Sequence, residues 1–179
     1  MEGKVKQMYT DYTYPKYDKN MDNYAPNVSI IPNALFPEQI THYIYNGSKN
    51  FNNYNILVAG VGWGSDLIAV AYLLDCYENI TITGIDLSPS SLKICKNRLT
   101  KYNLKSNIKL IEMSLLDLDP TIHGHFDLII CVGVLHHLEN PSDGLNKLNS
   151  VLKNDGFIFI MVYGKYGRTG IYQMQDLLK

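Results

Sequence analysis

A glycine-rich segment carries the first residues whose types and spacing could do chemistry. Gly60, Gly62 and Gly64 follow an apolar run and precede a helical stretch. Glycines there let the backbone turn tightly and approach a ligand, and the free N–H groups of a helix start favour a carboxylate or phosphate. A dinucleotide-binding fingerprint would place its third glycine where Ser65 stands. Structural glycines at a strand–helix junction would also explain the segment.

Asp86 is the second such residue. It ends a run of β-branched residues and follows Gly64 by about 20 positions, the spacing of a ribose-binding carboxylate. A carboxylate in this place accepts hydrogen bonds from both ribose hydroxyls. Asp86 could instead be an ordinary turn residue, but its combination with the glycines favours an adenosine site.

Strands and helices that must position these residues alternate along the second part of the chain. Apolar runs predict strands over 54–59, 80–85, 108–113, 126–132 and 157–162. Helices are predicted over 66–77, 88–101 and 143–153, and the Asn-Asp-Gly sequence predicts a turn over 154–156. The alternation predicts an α/β fold with a doubly wound, mostly parallel sheet. Ligands bind such sheets beyond the carboxyl ends of the strands, where the glycines and Asp86 are expected.

The composition of the chain limits the classes of partner that it is expected to bind. The chain has 16 Lys and Arg against 17 Asp and Glu, a formal charge of -1, so no nucleic-acid or anionic-membrane partner is expected. Its three cysteines form no CxxC pattern, so no metal site is predicted. The N-terminus lacks an apolar leader and no run is long enough for a membrane span, which favours a cytoplasmic protein.

The segment 54–162 resembles class I S-adenosylmethionine-dependent methyltransferases. The resemblance rests on GVGWG at 60–64, on Asp86, and on FDLIICVGVLHHLENP at 126–141. It implies a Rossmann-like sheet of order 3-2-1-4-5, S-adenosyl-L-methionine as cofactor, a small-molecule acceptor, and a methyl-transfer site after the fourth strand. The cofactor-binding residues that it implies are Gly60, Gly62, Gly64, Asp86, Leu87, Ser114, Leu115, Val132 and Gly133.

Two departures from the family pattern leave an alternative open. Val58 and Ser114 stand where many members have acidic residues. A non-catalytic, degenerate methyltransferase fold that binds cofactor or another chain is therefore the rival interpretation. A nicotinamide oxidoreductase is disfavoured by the glycine spacing. More narrowly, the chain resembles a bacterial-type group often attached to tetratricopeptide repeats, although it carries no such repeat.

His136 is the candidate catalytic residue. If the acceptor is a hydroxyl, thiol or acidic carbon, a base assists transfer, and an imidazole titrates near neutral pH. His136 and His137 both follow the fourth strand, and His136 lies nearer its end. The alternative is that this histidine only packs against its neighbours or caps the next segment.

The flanking regions suggest a lid and a rim. Residues 1–53 are predicted to form an irregular arm with one short helix over 36–46. Its tyrosines at positions 9, 12, 14 and 17 could cover the sulfonium of the cofactor and exclude water from it. The alternative is a loosely ordered surface arm. Residues 54–179 form the expected methyltransferase core. Beyond strand five, Lys165 and Arg168 stand among glycines and would suit an anionic group, although a solvated loop explains them equally well.

Class I methyltransferases usually have seven strands, whereas the predicted elements here end in a helical stretch beginning near Ile171. The expected hairpin of strands six and seven is therefore missing. Strand five would then expose an apolar edge without a charge or proline. We expect these residues to belong to a longer protein, or the edge to be covered by a partner chain or a second copy.

Overall fold

The structure is a computed structural model, and it describes residues 2–12, 42, 45–47, 50–164 and 166–178. The predicted helix over 36–46 and the tyrosines at positions 14 and 17 lie largely or wholly outside these residues. The division of the chain at residue 54 stays a prediction.

Five strands form one parallel sheet. They are β1 (Asn55–Ala59), β2 (Thr81–Asp86), β3 (Asn107–Glu112), β4 (Phe126–Val132) and β5 (Leu152–Met161). Their order is β3-β2-β1-β4-β5, and every adjacent pair is parallel. The predicted fold class and strand order are confirmed. Because β1 lies between β2 and β4, the segments after these three strands meet at the centre of the carboxyl edge.

The helices are α1 (Glu2–Asp11), α2 (Ser65–Leu73), α3 (Pro89–Leu99), α4 (Pro120–His123), α5 (Pro141–Ser150) and α6 (Thr169–Leu177). Of these, α2 and α3 pack on one face of the sheet and α5 packs on the other. Ser88 caps α3 by accepting the N–H of Ser91, with Pro89 at the first helical position. This cap holds the start of α3 at the carboxyl edge.

Alternation along the strands divides the core in two. Ile56 and Val58 of β1 pack with the apolar sides of α2 and α3. Leu57 and Ala59 point to the other face, where Leu148 of α5 packs. Residues 56–59 of β1 are therefore buried on both faces of the sheet, as expected of a central strand in a parallel sheet.

The predicted turn over 154–156 is wrong, because these residues belong to β5. Strand β5 begins at Leu152 instead of 157, and its register shifts between Phe126 and Leu128 on β4. Gly156 packs so closely on β4 that a Cβ would lie 2.9 Å from the carbonyl oxygens of Phe126 and Asp127. Buried Asp127 accepts hydrogen bonds from the N–H of Asn55 and from Lys153 Nζ, both at 2.8 Å. These contacts hold the irregular start of β5 against β4, where the single residue Asp127 lies opposite residues 153–156.

The N-terminal segment is more regular than predicted. Residues Glu2–Asp11 form a helix where an irregular arm was expected. Tyr9 and Thr10 accept hydrogen bonds from the hydroxyls of Ser88 and Ser90 at the start of α3. Lys6 pairs with Glu112 at the end of β3 at 2.7 Å. These contacts dock α1 on the carboxyl edge of the sheet.

Candidate functional site

The glycine loop lies at the carboxyl end of β1. Gly60, Gly62 and Gly64 all have positive φ, at 84°, 53° and 91°. A Cβ at Gly60 would collide with Val134, and one at Gly64 would lie 2.5 Å from Cys95 Sγ, whereas Gly62 faces open space. The outer two glycines therefore serve close packing, and Gly62 leaves backbone accessible to a ligand.

Asp86 lies against this loop at the end of β2. One carboxylate oxygen accepts the Gly62 N–H at 2.7 Å and the other accepts the Ser88 N–H at 2.8 Å. Burial raises the pKa of Asp86, while the backbone N–H groups of Ser88, Gly62 and Leu87 act in the opposite direction. The two sequence motifs thus meet through one direct hydrogen bond, from Gly62 to Asp86, and each carboxylate oxygen keeps a lone pair for a further donor.

Arg98 of α3 contacts the glycine loop, and this contact was not predicted from the sequence. Its side chain is 5% exposed, and Nη1 donates to the carbonyl of Trp63 at 2.9 Å. The guanidinium also lies 4.5 Å from the centre of the Trp63 ring. A buried arginine near the end of a helix is hard to assign from sequence, because lysine and arginine there usually face solvent.

The remaining predicted cofactor residues flank the loop on both sides. Ser114 is buried and its hydroxyl accepts the N–H of Leu116 at 3.1 Å, with Leu115 buried beside it. On the other side, Val132 ends β4, and Gly133 has φ 74° with open space at its Cβ position. Leu87 follows Asp86 directly, and its backbone N–H acts to lower the pKa of that carboxylate. All nine predicted cofactor residues therefore lie at the carboxyl edge of the sheet. Each is either the last residue of one of the strands β1–β4 or part of the segment that follows it.

His136 and His137 contact each other after β4, with their ring planes tilted by 56°. Their ring centres are 4.2 Å apart, and the His136 ring lies 3.9 Å from that of Tyr163, which follows β5. Burial, with the charges of His137 and Arg168, lowers the pKa of His136 to about 4. Both its ring nitrogens are buried without a hydrogen-bond partner. His136 is therefore a neutral imidazole with unsatisfied polar atoms.

Tyr9 of α1 crosses the edge of the sheet above this site. Its hydroxyl and Nε2 of His137 are hydrogen-bonded at 3.0 Å. Its carbonyl accepts the Ser88 hydroxyl at 3.0 Å. Because Ser88 follows β2 and His137 follows β4, Tyr9 spans the end of β1 between them.

In the parts of the chain that the structure describes, no group of three His, Cys, Asp or Glu side chains is arranged to hold a metal ion. The helices of the same residues are too short or too polar to cross a membrane.

The profile of the family described as "Methyltransferase domain" matches residues 57–158, more than half of the 179 residues. The chain belongs to this family. The match includes the glycine loop, Asp86 and the His136 segment, so the resemblance seen in the sequence is confirmed. The narrower resemblance to repeat-linked members stays a prediction.

Individual relatives cover the same region. An uncharacterized Synechococcus protein is 39% identical over 123 residues, which are 69% of this chain and 28% of that protein. A tRNA U34 carboxymethyltransferase of Campylobacter fetus is 35% identical over 117 residues, 65% of this chain and 40% of the enzyme. The plantazolicin methyltransferase BpumL, solved with SAH, is 25% identical, with a TM-score of 0.56, and the match covers 89% of this chain and 58% of BpumL. The chain spans less than half the length of the two curated relatives.

Proposed function

We propose that this protein is an S-adenosylmethionine-dependent methyltransferase that acts on a small-molecule acceptor. The observation that carries the proposal is the joined pair of motifs at the carboxyl edge. This chain belongs to the methyltransferase domain family, and its Asp86 carboxylate accepts the Gly62 N–H next to the open space at Gly62. That arrangement suits a ligand with a ribose and a short charged tail.

The residues present fit this cofactor. The open face of Gly62 and the N–H groups of the α2 start suit the methionyl carboxylate. The unused lone pairs of Asp86 suit the ribose hydroxyls. Leu87 and buried Leu115 would flank the adenine, and the Ser114 hydroxyl could accept a hydrogen bond from its amine, while Val132 and Gly133 border the methyl end. When bound, the cofactor supplies an electrophilic methyl group on a positively charged sulfur.

The protein's own contribution is alignment and the exclusion of water. Transfer neutralises the cofactor charge, so a dry, ordered site favours the reaction. Tyr9 covers the end of β1 and is held at both ends, by Ser88 and by His137. His136 remains the candidate group beside the acceptor. With a pKa of about 4 it is a weak base, and its unpartnered nitrogens suit hydrogen bonding to the acceptor.

Cofactor binding can be followed through Trp63, the single tryptophan of the chain, which lies inside the glycine loop. We expect S-adenosylhomocysteine to change its fluorescence saturably and NAD to leave it unchanged. Asp86→Ala should weaken binding by about 10-fold or more, because charge-assisted hydrogen bonds contribute about 1.5–3 kcal/mol each. The control Asp143→Ala removes an exposed carboxylate from α5 and should bind normally.

Asp86→Asn separates ligand contacts from loop structure. It keeps one oxygen for the loop N–H groups but loses the negative charge, so we expect intermediate affinity. Unchanged affinity in both Asp86 variants, or a stronger response to NAD, would refute the proposed cofactor site.

A further inference from the structure

A continuous series of ring and guanidinium contacts, referred to below as the stack, runs along the carboxyl edge of the sheet. Of its ring pairs, Tyr163 and His136 lie nearly parallel, and the others are tilted or edge-on. The Arg168 guanidinium lies 3.5 Å from the centre of the Tyr163 ring. Tyr163 stacks on His136, which contacts His137. His137 in turn contacts Tyr9 of α1, with ring centres 5.7 Å apart. The stack joins segments after β5 and β4 to the N-terminal helix beside the proposed methyl-transfer site.

Arg168 closes one end of this stack with a positive charge. It is half-buried, and no carboxylate within the described ranges pairs with its guanidinium. Its charge also contributes to the lowered pKa of both His136 and His137, as expected of a cation that faces these rings. A guanidinium offers a fork of donors that matches a carboxylate.

His136 supplies unsatisfied polar atoms in the middle of the stack. Neither ring nitrogen has a partner in the structure, although both are shielded from solvent. A neutral imidazole carries one donor and one acceptor, and leaving both unused in a buried place is costly. Polar atoms on a bound molecule would satisfy them.

We propose that the acceptor is a small organic acid whose carboxylate pairs with Arg168 and whose other polar atom bonds to His136. This inference rests on the proposed methyltransferase function. Among the described residues, Arg168 is the cation that lies on the stack, so its charge matches the single charge of a carboxylate.

The test uses the full chain saturated with S-adenosylhomocysteine and three acid–amide pairs as probes. Benzoate, phenylacetate and 3-(4-hydroxyphenyl)propionate are each titrated calorimetrically against their primary amides. We expect at least one acid to bind about 10-fold more tightly than its amide. Arg168→Gln should remove this preference. The control Lys109→Gln, which removes an exposed cation from β3 at the opposite edge of the sheet, should keep it.

Binding of S-adenosylhomocysteine is measured in the same samples. If all variants bind it but acids and amides bind equally, or no acid binds, the acceptor inference is overturned while the proposed function stands. Retained acid preference in Arg168→Gln also overturns the inference. Failure of S-adenosylhomocysteine to bind any variant would instead count against the proposed function.

Discussion

At the scale of single residues, His136 shows how packing changes the chemistry that a side chain can perform. An exposed histidine titrates near neutral pH and suits proton transfer. Here burial between Tyr163 and His137 lowers the pKa of His136 to about 4, so the ring stays neutral in a cell. For the proposed methyltransferase we therefore expect acceptors that need little help in losing a proton.

This shifted pKa predicts a pH-dependent stability. In the unfolded chain His136 titrates at about 6.5, so between about pH 6.5 and pH 4 the unfolded state binds more protons. The free energy of unfolding should fall as pH drops through that window and level off below it. His136→Phe keeps a ring in the stack but removes the titration. Urea unfolding at about pH 7 and about pH 5 should show a smaller loss for the variant.

His137 contributes in the same direction, because burial and the Arg168 charge also lower its pKa. It is present in both proteins, so the difference between them isolates His136. An equal loss of stability in wild type and His136→Phe would show that the ring nitrogens of His136 are solvated.

At the scale of elements, α1 depends on its docking contacts. A helix of 10 residues is marginal in water by itself, so tertiary contacts must hold it. The Lys6–Glu112 pair has both side chains almost half exposed and contributes about 1 kcal/mol at most. The half-buried hydrogen bonds of Tyr9, to Ser88 and to His137, are the stronger candidates.

We therefore predict that Tyr9→Phe loosens α1 without unfolding the core. The variant keeps the aromatic ring and loses the bond to His137 Nε2. Amide hydrogen exchange within Glu2–Asp11 should become several-fold faster, while the amides of β1 stay protected.

Lys6→Ala serves as the matched control and should change this exchange little. If Tyr9→Phe and the wild-type protein exchange alike in α1, the hydroxyl contact does not hold the helix. Faster exchange in β1 as well would indicate damage to the core instead of the release of α1 alone.

At the scale of the whole molecule, the strand order leaves β3 and β5 at the two edges of the sheet. In the part of the chain that the structure describes, no strand pairs with the outer side of β5. Ile160 is 36% exposed and Val162 just beyond it is 49% exposed. Such an edge is a template for pairing with another chain.

We predict that the purified chain self-associates through β5 at tens of micromolar, as measured by light scattering. Ile160→Lys places a charge on the edge and should reduce the association. Leu145→Lys, a similar change on the exposed side of α5, should not. A wild-type chain that is monomeric under these conditions, or equal effects of the two lysines, would contradict the prediction.

The sequence by itself determined the fold class and the local geometry of its two motifs, and its family resemblance predicted the strand order. The glycine loop and Asp86 fall within one strand–helix–strand unit, where the spacing along the chain sets the spacing in space. The capping of α3 by Ser88, with Pro89 next to it, is equally local. Their geometry could be predicted because no distant residue is needed to create it.

Tertiary structure alone decided the neighbours that give the site its character. Tyr9 lies 128 positions from His137, and no local pattern predicts their hydrogen bond. The pairing of Arg98 with Trp63 is likewise set by how α3 packs under the loop. Residues 154–156 have turn chemistry, yet the close packing of Gly156 on β4 holds them in an irregular part of β5. Contacts between distant segments depend on the packing of the whole sheet, which residue spacing does not encode.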